Sequence, residues 1–183
     1  MLKFIYSTMG GGKTTDLIKT YIQLQRKQLK PLVAKPKIDT REGNFDGWGW
    51  TKSRITNQSI PTYYFDKVSE LFRLEYNILM LDEVQFLQES DVMALTDLQK
   101  DIIAYGLKTN TVGNLFPASA KLLAIADEIE ELPMLCENPN CNNKAVIHSR
   151  YINGKVDLNP GIAIESGNIT YKSLCLNCWK KER

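Results

Sequence analysis

An excess of either charge is missing from this chain: 23 Lys and Arg stand against 21 Asp and Glu. No basic field makes nucleic acid or an anionic surface the default partner. Long apolar runs are missing too. No segment approaches the roughly 20 residues that span a bilayer, and the opening Met1-Leu2-Lys3-Phe4-Ile5-Tyr6 is too short a hydrophobic stretch for a secretory leader. The expectation is a soluble cytoplasmic protein with neither a membrane nor a nucleic acid as partner. There is no internal repeat and no low-complexity tract. The 183 residues are 43% hydrophobic, enough to bury a core for one domain with a small appendage. Histidine occurs once and cysteine four times, and in a reducing compartment such cysteines point to metal ligation rather than to disulfides.

What is present is concentrated near the start. Phe4-Ile5-Tyr6-Ser7-Thr8-Met9-Gly10-Gly11-Gly12-Lys13-Thr14-Thr15 joins a short apolar strand, Leu2 to Tyr6, to a helical pattern over about Lys13 to Lys27. Leu17, Ile18, Tyr21, Ile22 and Leu24 make the helix's apolar side. Successive backbone N–H groups in a glycine turn of this kind converge on phosphate oxygens. Ser7, Thr8, Gly10, Gly11, Gly12, Lys13, Thr14 and Thr15 form the expected cradle for ATP. Lys13 sets a point charge on the β/γ oxygens, and the Thr14 hydroxyl suits Mg²⁺. Glycine is usual where Ser7 stands, so a residue carrying Cβ must enter this turn.

Pro31 to Pro36 reads as a second strand. Asp39 and Arg41, just past its end, fall where ligands gather in an open parallel sheet, with a solvated loop as the alternative. Residues 42 to 54 contain glycines, Trp48 and Trp50 without a helical or alternating period, and are expected to form a mobile loop. Ser59 to Phe65 reads as a strand, and Asp66 to Leu74 as a short helix capped by Asp66. Asn77-Ile78-Leu79-Met80-Leu81-Asp82-Glu83 is the second strong signal. It is a continuous apolar strand, the kind buried on both faces of a parallel sheet, and it ends in two carboxylates. Beside a phosphate loop, Asp82 can complete a Mg²⁺ shell while Glu83 points toward the group being activated. A helix over Asp91 to Leu98, a buried strand over Asp101 to Leu107 and one helix over Ala118 to Glu131 complete an alternating α/β pattern with a parallel sheet.

The tail differs. Cys136-x4-Cys141 and Cys175-x2-Cys178 are two knuckles separated by 33 residues, and four grouped thiolates suit one tetrahedral structural Zn²⁺ with no position left for water. His148 lies between the knuckles and is expected to be an ordinary surface side chain.

Together these residues resemble the type II, or cellular-type, thymidine kinases. The resemblance runs nearly the whole length. It rests on Met9 within the Gly-Lys-Thr loop, Asp39-Thr40-Arg41, Asp82-Glu83-Val84-Gln85-Phe86, Tyr105-Gly106-Leu107, Gly113-Asn114-Leu115-Phe116, the four cysteines and Tyr171-Lys172-Ser173-Leu174-Cys175. It implies a RecA-like P-loop domain (residues 1–133) joined to a small zinc-binding lasso domain (134–183), usually as a homotetramer. It implies ATP-dependent phosphorylation of the 5′-hydroxyl of thymidine or deoxyuridine, with Glu83 as base and Arg41 on the transferred phosphoryl oxygens. Met9, Gln85, Phe86, Leu107 and Phe116 would line the nucleoside pocket, backbone around Ile162 and Ile164 would read the pyrimidine edge, and Tyr171 would lie near the sugar or base. Thr111 stands where the family has an aromatic residue against the base, a loss of about 1 kcal/mol of stacking or burial.

Two other readings compete. Asp82-Glu83-Val84-Gln85 also suits the acidic box of a helicase-type or remodelling ATPase, although such motors need a second RecA-like domain or a ring neighbour. Lys172, Lys180, Lys181 and Arg183 could serve a zinc-ribbon nucleic-acid binder, but four basic residues spread along a tail are more often a solvated surface.

Overall fold

A computed structural model describes residues 1–39, 43, 45–159 and 168–183. Along them run β1 (Leu2–Ser7), α1 (Lys13–Arg26), β2 (Pro31–Pro36), β3 (Gly47–Lys52), β4 (Ser59–Phe65), β5 (Ile78–Leu81), α2 (Glu89–Thr96), β6 (Asp101–Leu107), α3 (Pro117–Ile125), β7 (Glu128–Glu131), β8 (Ile147–Ile152), β9 (Lys155–Asp157), β10 (Ile169–Leu174) and α4 (Leu176–Lys181). Two 3₁₀ turns, Val68–Arg73 and Val84–Phe86, flank β5.

A seven-stranded sheet in the order β3-β4-β2-β5-β6-β1-β7 forms the centre. All its pairings are parallel except that of β3 with β4. The inner strands are apolar throughout because alternate side chains enter two different cores. On one face Phe4, Ala34, Leu79, Leu81 and Ala104 pack against Val84, Val92, Leu95, Ala118 and Leu122, from the second 3₁₀ turn and from α2 and α3. On the other face Ile5, Val33, Met80, Ile103 and Tyr105 meet Leu17, Ile18 and Tyr21 of α1. This mixed α/β sandwich, with its mainly parallel sheet, is the layout of a P-loop kinase fold. The C-terminal region adds an antiparallel sheet, β10-β8-β9, beside the four cysteines.

The five strands expected from apolar runs are all present. Four other expectations need correction. Residues 47–52 are a strand, not irregular chain: Gly49 and Thr51 point inward while Trp48 and Trp50 point out, and the Phe45 ring fills the space where a Gly49 Cβ would sit, 2.4 Å from its nearest atom. The helix expected to reach Glu131 stops at Ile125, and Glu128–Glu131 instead hydrogen-bonds alongside β1 as an exposed edge strand. Val68–Arg73 is 3₁₀, and Glu70, not Asp66, caps it by accepting from the Asp66 and Lys67 N–H groups at 3.0 and 2.8 Å. His148 is buried, at 4% exposure, because β8 packs toward the strand that leads into the glycine turn. Among the described residues no helix is long and apolar enough to cross a membrane.

Candidate active site

The glycine turn sits between the end of β1 and the start of α1. Gly10 and Gly12 have φ of 73° and 79°, left-handed conformations that side chains resist, and Gly12 is the N-cap of α1. Gly11 is required for a different reason. A Cβ there would lie 1.8 Å from the Ser7 Oγ, so Ser7 occupies the space that Gly11 leaves open. Ser7 itself has no positive φ, and its hydroxyl donates to the Leu132 carbonyl at 2.7 Å. The serine therefore enters the turn without strain. Lys13 is buried, its ammonium donating to the Thr8 carbonyl at 3.0 Å, and the Thr15 hydroxyl lies 2.8 Å from that of Ser53.

Parallel pairing of β2 with β5 brings the acidic pair to the same edge of the sheet, and the Asp82 N–H donates to the Ala34 carbonyl at 3.0 Å. Asp82 Oδ1 accepts the Glu83 N–H at 3.0 Å. Glu83 has φ 57° and ψ 40°, a left-handed conformation costing about 1 kcal/mol or more for a residue with Cβ. That twist turns its side chain out of the strand line. Gln85 donates through Nε2 to Glu83 Oε2 and accepts the Leu107 N–H at 3.0 Å. The Leu107 carbonyl in turn accepts from the Ser119 hydroxyl at 2.6 Å.

A cleft of about 800 Å³ opens over this edge. Its wall brings together Met9, Gly10, Gly11, Gly12, Lys13, Thr14, Thr15, Glu83 and Leu107, all singled out in the sequence. It also contains Trp50, placed by the sequence only in an irregular loop, and residues to which sequence reasoning gave no role: Lys35 of β2, and Lys52, Ser53 and Arg54 at the end of β3 and after it. Lys35 is almost fully buried and pairs at 2.8 Å with Asp39, which is also fully buried. Lysine within an apolar strand was the available signal. Thr8, Asp82 and Gln85 are buried, joined to wall residues through the Lys13 ammonium, the Glu83 N–H and the Glu83 carboxylate respectively, and Phe86 is half-buried in the second 3₁₀ turn. Thr111 is buried, its hydroxyl donating to the Asn159 carbonyl at 3.4 Å while its own carbonyl accepts from Trp179 Nε1 and Arg183. Phe116 is half-buried at the start of α3. Tyr171 meets His148 edge-on at 5.8 Å. Arg41, Ile162 and Ile164 lie outside the described residues.

The C-terminal region reaches the glycine turn directly, through the Ser173 hydroxyl, which donates to the Met9 carbonyl at 2.7 Å. His148 lines a small void with Tyr6, Ser7 and Thr8. Burial, and next the Lys13 charge, push its pKa down to about 4. The Sγ atoms of Cys136, Cys141, Cys175 and Cys178 all lie within 4.8 Å of one another, with Cys141 to Cys175 at 3.7 Å. A tetrahedral ion with Zn–S bonds of about 2.3 Å requires S···S distances of about 3.8 Å, so the donor set fits zinc. Cys175 caps α4 and accepts the Cys178 N–H, which lowers its pKa to about 6 and favours the thiolate that a metal needs.

A glycine turn opening a helix after β1, with an acidic pair at the end of β5, one strand removed across β6, defines a P-loop nucleotide-handling protein, a layout that kinases share with P-loop ATPases. Comparison with known proteins narrows this. A family profile described as thymidine kinase matches residues 1–179. The thymidine kinase of Rhodopirellula baltica is 34% identical over 95% of this chain and 85% of its own. That of Agrobacterium fabrum is 35% identical over 97% and 95%, and that of Enterobacteria phage T4 30% identical over 98% and 95%. The chain belongs to the thymidine kinase family.

Proposed function

We propose that this enzyme transfers the γ-phosphoryl group of ATP to the 5′-hydroxyl of thymidine, and of deoxyuridine. The observation that carries the reading is the placement of Glu83. A strand-end carboxylate, turned out by a left-handed backbone, opens on the same cleft as the phosphate loop. In this reading Glu83 accepts a hydrogen bond from the 5′-hydroxyl and takes its proton as the bond to phosphorus forms. Amides of Gly10 to Thr15 and the Lys13 ammonium hold the β/γ oxygens, and Arg41 neutralises charge on the transferred group. Thr14 and Asp82 would hold Mg²⁺, with Asp39 nearby, and the ion would supply neutralisation of charge on the β- and γ-phosphate oxygens. Met9, Phe86, Leu107, Thr111 and Phe116, with Ile162, Ile164 and Tyr171 of the lasso, are assigned to the nucleoside; Gln85, which the resemblance sets in the same pocket, is engaged by Glu83 and by the Leu107 N–H. The four cysteines would hold a structural Zn²⁺ in a unit spanning 134–183, apart from the kinase unit at 1–133. A cytoplasmic homotetramer completes the proposal, on family likeness.

The test supplies Mg-ATP with thymidine, deoxyuridine or deoxycytidine and looks for the 5′-monophosphates. Thymidine and deoxyuridine monophosphates are expected. ATP turnover without any nucleoside monophosphate would defeat the reading. For E83Q, kcat should fall about 100-fold or more with a nearly unchanged thymidine KM, since an amide keeps the shape but cannot take the proton. An unchanged kcat would remove Glu83 from the base role.

A further inference from the structure

We infer that Gln85 is a positioning residue of the phosphoryl transfer: its carboxamide ties the Glu83 carboxylate to the end of β6 and fixes that carboxylate in one orientation at the cleft wall. The inference rests on Glu83 being the base.

The orientation of the amide follows from its partners. The Leu107 N–H can only donate, so the amide oxygen faces it at 3.0 Å. The amide nitrogen is then left to face Glu83 Oε2, and an ionised carboxylate can only accept. Gln85 is 3% exposed, so little water can replace either bond. Space for the amide is made by Gly106: a Cβ there would lie 3.0 Å from Gln85 Oε1 and 2.7 Å from Val84 Cγ2. Bare backbone at this one position lets the 3₁₀ turn press onto β6. The anchor is itself held, because the Leu107 carbonyl accepts from Ser119 of α3. Backbone twist at residue 83 and the bridge from residue 85 together constrain both ends of the Glu83 side chain. Other charges near the carboxylate are Lys13, Lys35, Lys52 and Arg54 on the cleft wall and Asp82 beside it in the chain.

The bridge makes a demand that packing alone does not. Glutamate at position 85 has glutamine's shape and still accepts from Leu107, but it sets a second carboxylate against the first. Protonation of one of them is then favoured. Methionine at 85 keeps the volume and removes both bonds.

The experiment measures kcat, thymidine KM and the pH profile for the wild type, Q85E, Q85M and E83Q, with thermal melting as a check on folding. Wild-type activity should fall on the acid side, and Q85E should move that fall upward by about one pH unit. Q85M should lose about tenfold in kcat with thymidine KM within about twofold, as expected for lost positioning. Should Q85M not fold, the near-isosteric Q85E decides. A fast E83Q would defeat the base reading whatever the Gln85 variants do. With E83Q slow, an unmoved acid limb in Q85E together with an unchanged kcat in Q85M would overturn the positioning role. An effect of Q85M confined to thymidine KM would overturn it too, making Gln85 a nucleoside contact.

Discussion

Lys35 shows how much a single side chain can reveal that composition hides. An ammonium inside an apolar strand is costly unless paired, and Asp39 four residues on supplies the partner at 2.8 Å. Replacing only one member leaves the other charge buried, so K35M should lower unfolding free energy by about 3–5 kcal/mol, read from urea midpoints. The double variant K35M/D39N should recover part of that loss. A K35M protein as stable as wild type would show that Asp39 does not depend on this cation. Serine at position 7 carries the opposite lesson. A departure from the usual glycine looks disruptive in the sequence, yet the compensation lies four residues away, in a glycine whose missing Cβ leaves room for the hydroxyl. One-dimensional reading finds Gly11 easily but cannot see what fills its space.

Among the elements, the cysteine-bearing unit is the one that the proposed zinc would hold together. Cys136, Cys175 and Cys178 form their own small buried cluster with Leu174, too few side chains to fold a three-stranded sheet unaided. Chelation of the holoprotein, or C175S, should therefore speed amide exchange across β8 and β10 while β1 and β6 stay protected, measured by hydrogen exchange with mass spectrometry. Protection of β8 and β10 surviving metal removal would overturn this. The strands that the sequence revealed are those whose apolar residues supply both cores: β1, β2, β4, β5 and β6. Those it hid owe their state to pairing instead. β3 inverts the usual rule, with its tryptophans outward and its small residues inward. β7 is Glu-Ile-Glu-Glu, three of its four residues exposed, and backbone bonds to β1 override a pattern that continues the preceding helix. The same division holds at the site. Glycine turn and acidic pair were legible because they are local motifs, and Lys35 left a local signal as a lysine within an apolar strand, whereas Arg54 on the cleft wall and the Gln85 bridge to Leu107 become visible only when strands distant in sequence are adjacent.

At the scale of the whole molecule the two sheets meet at His148 and Ser173, against the strand and turn that frame the phosphate cradle. His148 is held neutral there, with a pKa near 4 against an ordinary value of 6.5. Because its folded pKa is the lower one, the unfolded chain takes up the proton first. The stabilisation is complete above about pH 6.5 and drains away as pH falls toward 4, amounting to about 3 kcal/mol. Urea midpoints followed over that range should fall more steeply for the wild type than for H148F, and equal slopes would place the acid sensitivity elsewhere.

The position of β1 has a consequence for how the protein is made. Among the described residues its strand partners are β6 and β7, so about 120 residues must leave the ribosome between β1 and completion of its pairing with the last of them. At roughly 5–20 residues per second that is a wait of order ten seconds. Until then the nascent phosphate cradle lacks at least one of its flanking strands, and nucleotide cannot help this end of the chain to fold before β6 and β7 have emerged.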